Sequence, residues 1–232
     1  MDKLIKYVDE FIIVVKYKEE KVRKYFWTQY GWIPIAYHTQ WERKWTWAAI
    51  QGLNVTWDII IAYADAIFWQ SDIDRVMEEK GYAVLAKEVE NPEKYWIFQI
   101  NSEGYIEKVV EKPQTYIWNL ANFSFFKVNE TLLAYVSQIS ESPRGEIEIT
   151  DALNLFCNQE KMKAVILKHD FIDITSLEDL KRVHSFENIV FWETLYIENI
   201  WENELHLGIS EKHLDNIISY TQDDEDTALQ KN

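Results

Sequence analysis

Apolar runs and amphipathic stretches alternate along the first third of the chain with the rhythm of strand–helix units. Phe11-Ile12-Ile13-Val14-Val15 is continuous and mostly β-branched, the pattern of a strand buried on both faces. Residues 19–26 follow with Val22, Tyr25 and Phe26 at helical spacing, so a helix is expected there. Ile33-Pro34-Ile35-Ala36-Tyr37 reads as a second strand, residues 46–53 as a helix, and residues 58–65 as a third strand ending in the carboxylate of Asp65. Residues 72–80 read as a helix, with Gly81 placed for a left-handed cap.

The rhythm then changes. Residues 82–89, 96–101 and 105–111 read as short strands, the last two joined by a Ser102-Glu103-Gly104 turn, and residues 122–128 as another strand. Residues 150–157 read as a helix capped by Thr150, residues 164–167 and 171–174 as strands, and residues 177–184 as a helix. Strand–helix units with an inserted meander predict a three-layer α/β sandwich over residues 1–184, with a small antiparallel section. Residues 185–220 form an aromatic extension with a helix expected at 211–220. Residues 221–232, containing Asp223-Asp224-Glu225-Asp226, read as an acidic disordered tail.

Charge narrows the function classes. The 232 residues carry 24 Lys and Arg against 39 Asp and Glu, a net charge of −15. Such a chain repels a phosphate backbone, which excludes non-specific binding to nucleic acid or to an anionic membrane surface. No apolar run approaches the roughly 20 residues of a membrane span, and residues 1–6 lack the apolar stretch of a secretory leader. The lone Cys157 has no internal disulfide partner, so a reducing, cytoplasmic setting is expected; on a helix beside Leu153 and Phe156 it reads as a core residue. Six glycines and 11 tryptophans are an unusual balance. Few backbone positions can then approach a ligand closely, and the tryptophans favour association into a homo-oligomer.

Four stretches carry candidate chemistry. Asp65 closes a strand, where ligands of open α/β sheets bind, so it is placed to hold a hard cation such as Mg²⁺; a helix cap or a solvated loop acid is the alternative. Glu111-Lys112-Pro113 ends another strand with a carboxylate and an ammonium suited to sugar hydroxyls and a phosphate. Pro143-Arg144-Gly145-Glu146-Ile147-Glu148-Ile149-Thr150-Asp151 mixes turn and strand signals. Asp173 is a second acid at a strand end. Asp72-Ile73-Asp74 also matches an Asp-x-Asp metal pattern, although its place at a helix start suits an N-terminal cap.

In this order and spacing the four stretches resemble the sugar-1-phosphate nucleotidylyltransferases, most closely the glucose-1-phosphate thymidylyltransferase type. Supporting matches are the stretch from Gln40 to Ile50, Tyr95-Trp96-Ile97, and Asn119-Leu120-Ala121-Asn122-Phe123-Ser124-Phe125-Phe126. The resemblance spans roughly residues 4–184 and implies a Rossmann-like nucleotide-diphospho-sugar transferase fold. The implied reaction is attack of a sugar-1-phosphate oxygen on the α-phosphate of a nucleoside triphosphate, releasing pyrophosphate. It also implies Asp65 and Asp173 as Mg²⁺ ligands, Glu111, Lys112 and Glu146 at the sugar phosphate, Gln40 at the base, and Asn119 among the substrate-binding residues.

The departures are as specific as the matches. The family's glycine-rich triphosphate loop, with its Arg and Lys, has no counterpart in the sequence, and neither does the central strand that precedes it. Trp45, Ala64, Trp96 and Ser124 stand where the family has glycine, and Ala66 where a polar residue follows the metal acid. The expectation is a family member without useful pyrophosphate exchange, its sheet gap closed by rearrangement or by a second copy. Two other functions fit parts of the sequence: a non-catalytic regulatory or interaction subunit, and a glycosyltransferase that uses Asp72 and Asp74.

Overall fold

The computed structural model describes residues 1–40, 49–140, 148–169, 172–174, 176, 179, 193–198 and 206–210. The chain divides into two compact units, one of Met1–Tyr63 with Phe68–Phe171, the other of Ala64–Ile67 with Ile172–Asn232.

The first unit begins with β1 (Phe11–Val15), α1 (Glu19–Phe26), β2 (Gln29–Tyr30) and β3 (Ile33–Thr39). These strands form a three-stranded sheet in the order β1-β3-β2, with β1 parallel to β3 in the register Phe11↔Ile35 to Val15↔Thr39. Helix α1 has acids in its first turn and bases in its last, in keeping with its dipole, and Arg23 reaches back to Glu19 at 2.6 Å. Of the helix expected over 46–53, residues 46–48 lie outside the description; Ala49 and Ile50 are helical, and a turn at Gln51 and Gly52 ends the helix before residue 53.

A larger, six-stranded sheet holds most of the core. It contains β4 (Ile59–Ala62), β6 (Tyr82–Glu88), β7 (Trp96–Ile100), β8 (Ile106–Glu111), β9 (Leu120–Val128) and β10 (Met162–Ile166). Its order is β10-β6-β9-β7-β8, with β4 also on β9. Helix α2 (Gln70–Glu78) buries Ile73 and Val76 and packs on β6. Helices α3 (Glu130–Val136) and α4 (Ile149–Gln159) bury Leu132, Val136, Leu153 and Phe156 with Val84, Phe98, Val109 and Phe126 of the sheet. Alternation along β6 separates two faces, Ala83 and Leu85 on one and Val84 and Ala86 on the other, all fully buried. The predicted α/β layering is therefore present, but β1, β3 and β2 stand as a separate sheet, and no described strand joins β1 to β4.

Several helix ends differ from the sequence reading. Helix α2 starts at Gln70 instead of residue 72, and Gly81 is not left-handed; the carbonyls of Met77 and Glu79 accept from the Lys127 ammonium at 3.4 and 2.7 Å instead. Thr150 is buried inside the first turn of α4 and caps nothing, while Glu148 precedes the helix. The seven residues of α3 were too short for a periodicity to declare itself, yet Asn129 caps them by accepting from the Thr131 N–H at 3.0 Å. Asn154 on α4 serves as a substitute strand neighbour for β8, its side-chain oxygen and nitrogen each 2.8 Å from the Val109 main chain. Cys157 packs against the core as expected, and burial pushes its thiol up to about 12.

Two local features organise the unit. Across β6, Val84↔Phe126 and Ala86↔Asn122 are consecutive register points, so β9 uses four steps where β6 uses two. The excess is a bulge at residues 123–125, and Ser124 adopts φ 53 there. Asp72, in the first turn of α2, is wholly buried. It accepts from the Lys168 N–H at 3.1 Å and Arg75 Nη1 at 3.2 Å, and its other oxygen lies 2.9 Å from His169 Nδ1. Arg75 also donates to the Ile166 carbonyl at 2.7 Å, so the cluster ties α2 to the end of β10.

The second unit pairs β5 (Ala66–Ile67) antiparallel with β11 (Ile172–Asp173), and β12 (Glu193–Glu198) antiparallel with β13 (His206–Ser210). The described part of the 185–220 extension is thus a strand pair where a helical extension was expected, in line with the β-branched and aromatic Thr194-Leu195-Tyr196-Ile197 run. The helix expected at 211–220 lies outside the described residues, as do 181–184 and the 221–232 tail.

Ser124 holds a left-handed conformation that disfavours any residue with a Cβ. Ser124→Gly is therefore expected to stabilise the protein by about 1 kcal/mol, read as a higher urea midpoint at unchanged slope. An unchanged or lowered midpoint contradicts the strain. Asp72→Ala removes the anion that faces Arg75 and His169 and leaves the Lys168 N–H without its acceptor. A loss of about 3–5 kcal/mol in the same measurement is expected; a loss below about 1 kcal/mol, the range of an exposed helix acid, contradicts it.

Candidate functional site

The strand ends place the sequence-selected residues in three separate settings. Glu111 is the last residue of β8 and is paired with Trp96 at the start of β7. On the other side of β7, Ile97 pairs with Ala121 of β9, so Trp96 stands across from Asn122 one step further along. Glu111, Trp96, Asn122 and Ala86 therefore form a row across four strands on one face, the face that carries the main core. At this row apolar packing gives way to polar groups.

Asn122 is the residue that the sequence reading quoted within a motif but did not single out. Its Oδ1 is buried and has no hydrogen-bond partner among the described residues. A buried amide oxygen without a donor costs about 1–3 kcal/mol, so its retention points to a donor supplied from elsewhere. Nothing in the sequence marks it, because strand pairing alone brings it into line with Glu111. Its position follows from the bulge: β9 pairs with β7 at Leu120 and Ala121 and with β4 from Phe125 to Val128, leaving residues 122–124 at the fork between those neighbours. Ser124 spans the fork, and its carbonyl accepts from the Tyr63 N–H at 3.1 Å.

Lys112 follows Glu111 with φ 40, and its N–H donates to the Tyr95 carbonyl at 3.0 Å. The left-handed turn directs the chain away from the strand just before Pro113. Its ammonium is half-exposed and 3.8 Å from the Glu111 carboxylate. Asn119 precedes β9, and its carbonyl accepts from the Val89 N–H at 2.8 Å. Glu111 and Lys112 thus lie at the end where β7 begins, whereas the register puts Asn119 level with Gln99 and Lys108, three residues along toward the other end of β7, and does not bring it to the Glu111 row.

Gln40 is elsewhere, at the end of β3, where its N–H donates to the Val15 carbonyl at 2.8 Å. It thus belongs to the β1-β3-β2 sheet, while Glu111 belongs to the larger one. Residues 41–48, including Trp45, and Glu146 lie outside the described residues.

Asp65 and Asp173 meet in the second unit. Asp65 is not the last residue of β4, as expected, but occupies the turn beyond it, directly before β5. Asp173 pairs with Ala66, and the Ile174 N–H donates to the Asp65 carbonyl at 2.7 Å, so the two acidic residues are neighbours on adjacent antiparallel strands. Asp65 is half-buried, and burial raises its carboxyl above the usual range. The relation is one of backbone position; a half-buried carboxylate such as that of Asp65 suits Mg²⁺, which takes one or two such ligands and completes its shell with water and substrate phosphate. No group of three or more metal-ligating side chains occurs among the described residues.

The Asp72 and Asp74 pair is committed to structure. Asp72 is enclosed by Arg75, Lys168 and His169, as described above. Asp74 accepts from the Tyr7 hydroxyl and the Gln70 amide, both at 2.6 Å, and faces Lys6 at 3.1 Å; these bonds hold its carboxyl down at about 2. The two acids serve different partners, which removes the basis for an Asp-x-Asp metal site. Ser71 and Asp72 both face Nδ1 of His169, at 3.4 and 2.9 Å, so the ring does not relay protons between them.

Residues 2–189 match the sequence profile of the family described as Nucleotidyl transferase. A bifunctional sugar-1-phosphate nucleotidylyltransferase/acetyltransferase of Sulfurisphaera tokodaii is 30% identical over 155 residues, covering 66% of this chain and 39% of that protein. The bifunctional protein GlmU of Methanocaldococcus jannaschii is 29% identical over 188 residues, covering 80% of this chain and 45% of its own. The chain thus spans less than half the length of these two relatives. Among solved structures, a Bacillus anthracis protein assigned as a glucose-1-phosphate thymidylyltransferase, crystallised with sucrose, superposes with a TM-score of 0.66 at 19% identity, covering 81% of this chain and 80% of that one. A UDP-glucose pyrophosphorylase complexed with UDP-glucose gives a TM-score of 0.61 at 20% identity, covering 73% and 77%. These likenesses establish the fold, and with the profile match over most of its length the chain belongs to the nucleotidyl transferase family.

Proposed function

We propose that this polypeptide binds a sugar phosphate at the β7–β8–β9 end and does not by itself exchange pyrophosphate at a useful rate. The buried, unpartnered Asn122 Oδ1 in line with Glu111 carries the reading. A sugar hydroxyl is the donor such an oxygen lacks, and the Glu111 carboxylate is a second acceptor in the same row. Lys112, half-exposed beside Glu111 at the strand end, offers an ammonium to the phosphate.

Asp65 and Asp173 would hold the Mg²⁺ of this family, which when bound offsets the charge of the phosphates. The residues' own contribution is electrostatic. Burial makes a lone Asp65 charge unfavourable, and a cation beside it would relieve that cost. Against turnover stand the composition and the substitutions. Among the 232 residues the six glycines, at positions 31, 52, 81, 104, 145 and 208, form no cluster able to wrap a triphosphate. Ala66, next to Asp65, stands where the family resemblance implies a polar residue after the metal acid. A non-catalytic sensing or regulatory role is the form this reading takes in the cell.

Thermal unfolding with glucose-1-phosphate, nucleoside triphosphates and Mg²⁺, together with pyrophosphate release, tests both halves. Ligand at about a hundred times its Kd stabilises by about 2.7 kcal/mol, roughly 5–10 °C for a chain of this size. That shift is expected with the sugar phosphate and is expected to vanish in Lys112→Ala, with no pyrophosphate released. Release that is abolished by Asp65→Ala and Asp173→Ala overturns the inactive half, and absence of any shift overturns the binding half.

A further inference from the structure

One side chain of helix α4 holds the outer edge of β8. Among the described strands β8 pairs with β7 alone, in the register Trp96↔Glu111 to Gln99↔Lys108. In an antiparallel pair, successive residues turn their main-chain groups alternately toward the partner strand and away from it. The Lys112 N–H donates to the Tyr95 carbonyl, so Lys112, Val110 and Lys108 face β7, and the main-chain groups of Val109 and Glu111 face the other edge. Asn154 meets that edge at Val109. Its Oδ1 accepts from the Val109 N–H and its Nδ2 donates to the Val109 carbonyl, each at 2.8 Å. The amide makes the two bonds that a residue of a further strand would make, at a position 3% exposed.

The place of this clamp gives it a use. The β7–β8 hairpin joins the rest of the sheet through a narrow junction, Ile97↔Ala121 and Phe98↔Leu120. Its tip is tied separately, by the Ala164 N–H donating to the Gly104 carbonyl at 3.0 Å. Glu111 stands at the opposite end of the hairpin from the tip, two residues beyond Val109 and on the same side of the pleat. Helix α4 is itself fixed in the core that β9 helps to build, through Leu153 and Phe156. We propose that Asn154 is a positioning residue of the sugar-phosphate site: by gripping Val109 it fixes the Glu111 carboxylate relative to the buried Asn122 oxygen across the β7–β9 junction. The role rests on the reading of that site given above. Asparagine is the residue it needs, because one short side chain must both donate and accept. Aspartate at this position would keep the bond from the Val109 N–H and set a carboxylate oxygen against the Val109 carbonyl.

Calorimetric titration of the whole chain with glucose-1-phosphate, at a temperature where every variant is folded, tests the role. Asn154→Asp keeps the shape and one bond, and Asn154→Leu keeps about the volume and neither bond. Each is expected to raise the Kd about ten-fold or more, the loss that follows when a binding group is held out of place. Val136→Ala, on α3, is the control for stability alone: it removes buried methyl groups and no hydrogen bond of β8. It is expected to lower the melting temperature and leave the Kd within about two-fold of wild type. Amide exchange supplies a readout independent of ligand: residues 107–111 are expected to exchange faster in Asn154→Leu while β6 stays protected. A wild-type Kd retained by both Asn154 variants, an equal weakening by Val136→Ala, or unchanged exchange over 107–111 overturns the positioning role and leaves the site reading standing. A wild-type chain that binds no glucose-1-phosphate overturns the site reading and this role with it.

Discussion

Strand β9 is the constraint on which the rest of the first unit depends. It pairs with β6 on both sides of the bulge, while its other side is divided between β7 and β4. One strand cannot serve two diverging neighbours with regular pleating, and the extra residues at 123–125, with Ser124 left-handed, are the geometric consequence. The same irregularity sets Asn122 at the fork with a buried oxygen that no described group reaches. Core packing, backbone strain and the candidate ligand site therefore share one cause. Phe125 and Phe126, on either side of the pleat after the bulge, anchor the strand to both core faces.

Strands were the most legible part of the sequence. Short apolar-rich stretches such as 11–15, 82–89 and 122–128, bounded by polar residues, leave few alternatives to a strand, although Phe11 to Val14 are only partly buried where burial on both faces was expected. Helix ends were less legible, because tertiary partners decided them: the Lys127 ammonium closes α2 where Gly81 was expected to, and Thr150 is drawn into the core instead of capping α4. The division of the strands into two sheets follows from the absence of a described strand between β1 and β4, a gap that the motif comparison had already exposed.

The candidate site was legible residue by residue but not as a geometry. Asp65 and Asp173 are separated by more than a hundred positions, and only the pairing of β5 with β11 makes them neighbours. Glu111 and Lys112 carried recognisable chemistry, whereas Asn122 carried none until register aligned it with Glu111 through Trp96. Asp72 and Asp74 show the reverse. Their spacing imitates a metal motif, yet burial and hydrogen bonding commit each to holding α2 in place.

Amide hydrogen exchange resolved to short peptides tests the central role of β9 most directly. A strand flanked on both sides opens only with the whole unit, so the account predicts that residues 125–128 exchange as slowly as β6, and far more slowly than β1 or the 1–10 segment. Exchange in 125–128 at the rate of an edge strand would contradict it.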